Sequence, residues 1–432
     1  MAVPEGVKGA PDWLPPEADR FHAVESGLLE AARLAGYQRV RTPVFEHTEV
    51  FTRGVGDTTD VVQKEMYTFS DRGGRSLTLR PESTAGVVRA ALGSGLPRAG
   101  GLPVKWSYSS EHFRYERPQA GRQRQHTSVG VEALGSDDPE LDAEVVLLGW
   151  EALRRVGLDG VVLRLNTLGD RGDRAAYHER LNAHLDRFAD DLPPEVAQRR
   201  HRNPLRAFDA KAPGMAAIMA DAPLLADHVS PEVKAHHEVV VARLEAEGVP
   251  LRHDPRLVRG LDYYTRTTFE FQVARLGAQD AVGGGGRYDG LAEDLGWGER
   301  FPGVGFGLGV DRILLALAGG GPPLPSRVDV FVVQADPSLA GEVFALVAEL
   351  RRVGIATDRG FDGRSVKAQF KLADRAGARW ALVLGSDEAA GGFVTVKDLA
   401  DGTQRMVPRD EVVAHLAAPH PGGGALRDEG RR

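Results

Sequence analysis

PGVGFGLGVDRILLAL, residues 302–317, is the stretch from which the fold can be read. Glycines 303, 305, 307 and 309 alternate. Alternate residues of a strand share a face, so one face of this strand is bare backbone. A flat ring can lie against such a face. Arg312 then opens a helix, where its guanidinium can stack on or pair with what lies on the glycine face. The pattern is not a dinucleotide-binding fingerprint, because no Gly-x-Gly-x-x-Gly opens a helix after a strand. It is not a phosphate-binding P-loop either, because Gly-Lys-Ser/Thr is missing.

Three further segments carry chemistry. In FRYERPQAGRQRQ (113–125) a strand ends in Arg114 and Glu116, and a loop follows with Arg117, Gln119, Arg122 and Arg124. Arginine is the residue for forked recognition of phosphate. A loop so dense in it repels itself unless anions arrive; the bland alternative is a solvated charge run. In LTLRPESTAG (77–86), Glu82, Ser83 and Thr84 suit an ammonium group, or else cap the helix that follows. In LVRGLDYYTRTTFEF (257–271), Arg259 precedes Tyr263 and Tyr264. On a strand one tyrosine would enter a pocket while the other packs. The alternative is two core aromatics beside a surface arginine. GGGGRYDG (283–290) adds Tyr288.

The organisation around these segments is mixed. Residues 16–35 predict an amphipathic helix on Phe21, Val24, Leu28 and Ala32, closed by Gly36. YQRVRTPVFE (37–46) reads as strand, with Pro43 marking an edge. Residues 66–80 read as a hairpin turning at Gly73–Gly74. Residues 104–117 and 125–135 read as strands, and 138–157 and 171–190 as helices. A polar, mostly helical stretch to 255 suggests a helical insertion over about 171–255. TTFEFQVA reads as a further strand. The Gly/Pro run 318–327 is the clearest boundary. After it, strands and helices alternate over 328–417, which suggests a small α/β domain. The expected layout is a catalytic domain over 1–325, an α/β domain over 328–417 and a disordered tail over 418–432.

Composition narrows the classes. There are no cysteines, which excludes disulfides and thiolate metal sites. The thirteen histidines show no metal-ligand spacing, so no structural metal is expected, and His236–His237 read as solvated. A net charge of −7 argues against a general nucleic-acid coater, though not against local basic patches. No apolar run spans a bilayer and the N-terminus has no targeting character. A soluble cytoplasmic protein without a membrane partner is the expectation.

Taken in order, the arginine-bearing strand–loop–strand and the Gly-rich strand with its helix-opening arginine resemble motifs 2 and 3 of class II aminoacyl-tRNA synthetases. LVRGLDYYT and GGGGRYDGL resemble signatures of the histidyl-tRNA synthetases, as do FEHTEVFTRGVGDTTDVVQKEMYTF, FRYERPQAGR, NPLRAFDAK and FDGRSVKAQFKLADRAGAR. The resemblance covers about residues 5–417. It implies an α+β fold: an antiparallel sheet with flanking helices, a helical insertion and a C-terminal anticodon-binding domain. It implies a homodimer with motif 1 (about 16–52) at the interface. The implied reaction joins L-histidine to tRNA(His) with ATP and Mg²⁺. Arg114 and Arg259 would be catalytic. Histidine would be bound by Glu82, Ser83, Thr84, Arg114, Ser128, Glu132, Arg259, Tyr263, Tyr264 and Tyr288. Within that set Glu132 and Tyr264 would read the imidazole. ATP would be held by Arg114, Glu116, Arg122, His126 and Arg312, and the tRNA acceptor end by Arg117 and Gln119. Lys367 and Lys371, with Arg364, Arg375 and Arg379, would face the anticodon stem.

The chain departs from that pattern near the substrates. Ser83 replaces a glycine, Ser110-Glu111-His112 replaces Gly-Pro-Met, and His126-Thr127-Ser128 replaces Phe-His-Gln. Two other readings follow from these changes: a diverged synthetase-like paralogue with an altered substrate pocket, and a histidine-sensing regulatory protein.

Overall fold

The computed structural model describes residues 3–57, 59–210, 212–277, 280–324 and 327–417; the expected tail lies outside them. The chain divides into two units, Met1–Pro323 and Leu324–Arg432.

In chain order the strands of the first unit are β1 (Gln38–Arg39), β2 (Phe45–His47), β3 (Thr68–Ser70), β4 (Ser76–Leu79), β5 (Val104–Phe113), β6 (Gln125–Leu134), β7 (Val161–Thr167), β8 (Leu251–His253), β9 (Thr265–Val273), β10 (Ala281–Arg287) and β11 (Gly303–Gly309). Eight form one sheet in the order β1-β5-β6-β11-β10-β9-β7-β8. Its interior pairs are antiparallel, and the two edge pairs, β1–β5 and β7–β8, are parallel. A smaller sheet, β2-β4-β3, contains the hairpin at Gly73–Gly74.

The alternation in β11 gives this sheet two unlike faces. Val304, Phe306 and Leu308 are buried in the main core. They pack there with Val145 and Val146 of the helix Pro139–Arg155 and with Val24 and Leu28 of the helix Glu17–Leu34. Each such aliphatic side chain contributes ~1.5–3 kcal/mol on burial. Gly36 ends the first helix in a left-handed conformation at φ +82. Asp138 caps the second, accepting from the Glu140 amide at 3.0 Å, and Pro139 occupies its first turn. The glycine face of β11 points the other way and carries the site.

Four sequence expectations change in the structure. YQRVRTPVFE is two short strands in different sheets, split around Pro43, which lacks the amide needed to continue a ladder. The 104–117 strand ends at Phe113, so Arg114 and Glu116 stand just beyond it. Within 171–255, β8 joins the large sheet, and the helix Pro231–Ala246 packs Val240 and Leu244 into the main core. The stretch that leaves the sheet's own layers is therefore shorter than the sequence suggests. His236 on that helix is buried, not solvated.

The second unit holds β12 (Val330–Gln334), β13 (Thr357–Arg359), β14 (Trp380–Leu384), β15 (Phe393–Asp398) and β16 (Gln404–Pro408), in the order β13-β12-β14-β15-β16. VFVV in β12 is apolar throughout because both faces are covered. Val330 and Val332 pack against Leu346 and Leu350, and Phe331 and Val333 against Ala373 and Ala381.

Candidate active site

Strand ends and loops at the glycine face surround a cleft of about 700 Å³. Arg114, Glu116, Arg122, His126, Ser128, Arg259 and Arg312 all line it. Seven residues from three separated stretches of sequence thus meet at one opening. Each arginine is aimed by a fixed partner. Arg114 Nε donates to the Pro81 carbonyl at 2.8 Å. Arg122 pairs with Glu116 at 3.0 Å. Arg259 pairs with Glu270, and Arg312 donates to the Ala281 carbonyl and, at 3.2 Å, to that of Gly121. Arg124 points elsewhere: its guanidinium lies 4.1 Å from the centre of the Tyr115 ring. Arg117 and Gln119 are exposed at the loop tip, where Gln119 and Arg122 exchange backbone hydrogen bonds around Gly121.

Glu82, Thr84, Glu132, Tyr263, Tyr264 and Tyr288 are buried together beside this cleft. Glu132 is fully buried. It accepts from the Thr84 hydroxyl at 2.7 Å, from Tyr108 at 3.1 Å and from Tyr288. Burial pushes its carboxyl up to about 8 despite these donors. Glu82 accepts from the amides of Thr84 and Ala85 at 2.6 and 3.0 Å, so in this structure it caps the helix Thr84–Gly93. Tyr263 and Tyr264 stand in the turn before β9 rather than on it, both buried, with rings 4.6 Å apart.

The bare face of β11 is already used by the protein. A side chain at position 305 would meet Glu132 Oε2 at 1.9 Å, and one at 303 would meet the Tyr288 ring at 2.3 Å. Position 307 faces Ser128, whose hydroxyl donates to the Leu308 carbonyl at 3.2 Å. The glycines make room for a carboxylate and a phenol from neighbouring strands, where the sequence suggested a ligand ring.

Tyr108 and Glu270 were not singled out in the sequence. Gly130 was the available signal for Tyr108: the two pair across β5 and β6, and a side chain at 130 would strike the phenol at 2.4 Å.

The departures from the family pattern touch one another. Ser83 Oγ lies 2.8 Å from His112 Nε2, and the His112 ring meets His126 edge-on at 5.5 Å. Burial holds both histidines neutral, His112 well below its usual range and His126 down to about 3. His126 therefore presents an uncharged ring to the cleft. Among the described residues, no three His, Cys, Asp or Glu stand close enough to hold a metal ion.

A mostly antiparallel sheet thus carries an arginine-lined cleft at its glycine face and a buried cluster of carboxylates and phenols. The sequence profile of the histidyl-tRNA synthetase family matches residues 9–313, and that of an anticodon-binding domain matches 328–418. A histidine–tRNA ligase of Nocardia farcinica is 53% identical over 411 residues, covering 95% of this chain and 96% of that one. One from Rhodococcus erythropolis is 52% identical over 411 residues, with the same coverage of both chains. The crystal structure of apo histidyl-tRNA synthetase from S. aureus superposes with a TM-score of 0.81 at 34% identity, covering 96% of this chain and all of that one. The chain belongs to the histidyl-tRNA synthetase family.

Proposed function

We propose that this chain is a histidine–tRNA ligase that forms histidyl-adenylate in the cleft and passes the histidyl group to tRNA(His). The observation that carries the reading is the convergence of Arg114, Arg122, Arg259 and Arg312 on one cleft, with Glu132 and the tyrosines buried in the same unit.

A carboxylate oxygen of histidine attacks the α-phosphorus of ATP, and pyrophosphate leaves. The terminal adenosine hydroxyl of tRNA then attacks the histidyl carbonyl carbon, and AMP leaves. The attacking groups belong to the substrates, so the protein supplies placement and charge. Arg114 and Arg259 neutralise the α-phosphate from two sides. Arg122, Glu116, Arg312 and the neutral His126 ring hold the rest of ATP. Glu82, Ser83 and Thr84 hold the α-amino group. Ser128, Tyr263 and Tyr288 line the amino-acid pocket, where Glu132 and Tyr264 meet the imidazole. A pocket that satisfies both ring nitrogens rejects side chains that leave its groups unpaired. Arg117 and Gln119, exposed at the loop tip, are placed for the acceptor end.

Magnesium binds through few carboxylates plus phosphate oxygens, and Glu116 and Glu270 line the cleft with suitable oxygens. These two residues would hold the ion, which when bound supplies further neutralisation of the phosphates.

The same reading includes a homodimer. Val44, Phe45 and Phe69 are large apolar groups exposed on the β2-β4-β3 sheet, and Phe45 packs edge-on against Phe69 at 6.3 Å. An exposed patch of this kind suits a partner subunit. In the second unit, Arg364, Lys367, Lys371 and Arg375 are exposed along one helix and its entry, which suits the anticodon arm. Arg379 instead pairs with Asp398 at 3.8 Å and stacks on Trp380. Among the described residues no helix is long and apolar enough to cross a membrane. We assign the chain to the cytoplasm, where tRNA is charged.

Histidine-dependent ATP–pyrophosphate exchange tests the reading. Exchange should require histidine and fall about 10²–10³-fold in Arg259→Ala, the loss expected for one transition-state charge partner. Absence of exchange in a protein that histidine still stabilises against heat would point to a histidine-binding paralogue instead.

A further inference from the structure

Behind the pocket lies a chain of charged groups that the reaction above does not use. Arg287 and Asp142 are both fully buried. Arg287 Nε donates to the two Asp142 oxygens at 3.0 and 3.1 Å. Its other nitrogens reach Asp142, the Ser136 carbonyl and Asp289. On its far side Asp142 meets His236 Nε2 at 2.9 Å. His236 Nδ1 lies 3.4 Å from a guanidinium nitrogen of Arg266, a group that only donates. Nδ1 is therefore the acceptor, and Nε2 carries the hydrogen given to Asp142. Arg266 also pairs with Glu232 at 2.8 Å.

The backbone shows what this set holds. Arg266 sits at φ +46, a conformation uncommon for any residue but glycine. Gly286 pairs with Thr268, yet Arg287 pairs with Thr265, so Arg266 and Thr267 bulge from β9. The bulge is pinned through its main chain, where the Arg266 amide donates to the Gly169 carbonyl at 2.7 Å. It is pinned through its side chain by His236 and Glu232. Tyr263 and Tyr264 stand just before the bulge, and Tyr288 directly follows Arg287. The helix Pro231–Ala246 thus holds the first of these segments through Arg266 and the second through Asp142. Apolar residues can fill such a space with equal stability, so a buried ionic network kept there argues for geometric specificity. Strain held at a bulge beside a pocket has the same meaning: it re-aims side chains.

We propose that His236, acting with Asp142, Arg287 and Arg266, is a positioning residue that sets Tyr264 and Tyr288 against Glu132 and so fixes affinity for the imidazole of the amino-acid substrate. The proposal rests on the reading that this pocket takes histidine.

His236→Leu removes the donor and the acceptor but keeps bulk. His236→Gln keeps both, an amide N–H for Asp142 and a carbonyl oxygen for Arg266. Arg266→Gly accepts the positive φ yet lacks the guanidinium. Pyrophosphate exchange measured against each substrate separates the two Michaelis constants. His236→Leu and Arg266→Gly should raise KM for histidine about tenfold or more, with KM for ATP within about twofold, as expected for a displaced pocket group. His236→Gln should recover most of the loss. A lowered melting temperature with both constants unchanged, or an equal rise in both, would overturn the relay. Should His236→Leu fail to fold, His236→Gln beside Arg266→Gly still decides the matter by the same two constants. Wild-type exchange with unaltered variants sinks the relay alone, whereas wild-type protein inert toward histidine sinks the pocket assignment and the relay with it.

Discussion

Glu132 shows how one side chain gathers several constraints. Its carboxyl is satisfied by Thr84, Tyr108 and Tyr288, and Gly305 is the space it occupies. It titrates at about 8 in the fold against 4.5 ordinarily. Between those values the unfolded chain releases a proton that the folded chain keeps, so stability falls as pH rises from 4.5 through 8. His126 acts in the opposite sense: its contribution is complete above 6.5 and is lost as pH falls toward about 3. The two windows overlap only on the acid side. Melting temperatures should therefore decline from pH 6.5 to about 8.5, and Glu132→Gln should flatten that decline by removing a group whose titration spans it. An unchanged slope in the variant would show that Glu132 ionises freely in the fold.

Among elements, the arginine loop depends on a segment distant in sequence. The Gly9 carbonyl accepts from the amides of Arg124 at 2.7 Å and Gln125 at 3.0 Å. Gly9 lies at φ +84, and a side chain there would meet Pro118 at 2.9 Å and Arg124 at 3.0 Å. This N-terminal strap therefore braces the loop end of the β5–β6 hairpin, which bears Arg114 and Arg122. Gly9→Val should raise KM for ATP severalfold, roughly 3–10-fold, while the melting temperature changes little, because the strap buries few apolar groups. Initial rates at varied ATP would show it; an unaltered KM would mean that the loop holds itself.

At the scale of the molecule, each unit has an apolar core of its own, built on Val304, Phe306 and Leu308 in the first and on Val330, Val332 and Leu382 in the second. The groups proposed for adenylate formation all lie in the first. Residues 1–323 alone should keep histidine-dependent exchange within about tenfold of the full chain, while aminoacylation of tRNA falls by about 100-fold or more, the loss of a set of phosphate contacts. Comparable losses in both assays would place part of the activation site in the second unit.

The chain by itself determined what short-range physics encodes. Period-two glycines marked β11, helical spacing of Phe21, Val24 and Leu28 marked the first helix, and the clustered arginines marked the loop whose Arg114 and Arg122 line the cleft. These are local because backbone freedom, side-chain alternation and charge density are properties of neighbours in sequence. The contents of the pocket were settled only by tertiary structure. Tyr108 enters through a cross-strand glycine 22 positions away in number, and His236 reaches Asp142 from 94 residues along the chain. His236 shares the helical spacing of the buried Val233, Val240 and Leu244, so periodicity could place it inside but could not name its partner. What buries it is a carboxylate whose own charge is matched by Arg287, and a pairing of that kind exists only once strand and helix have come together.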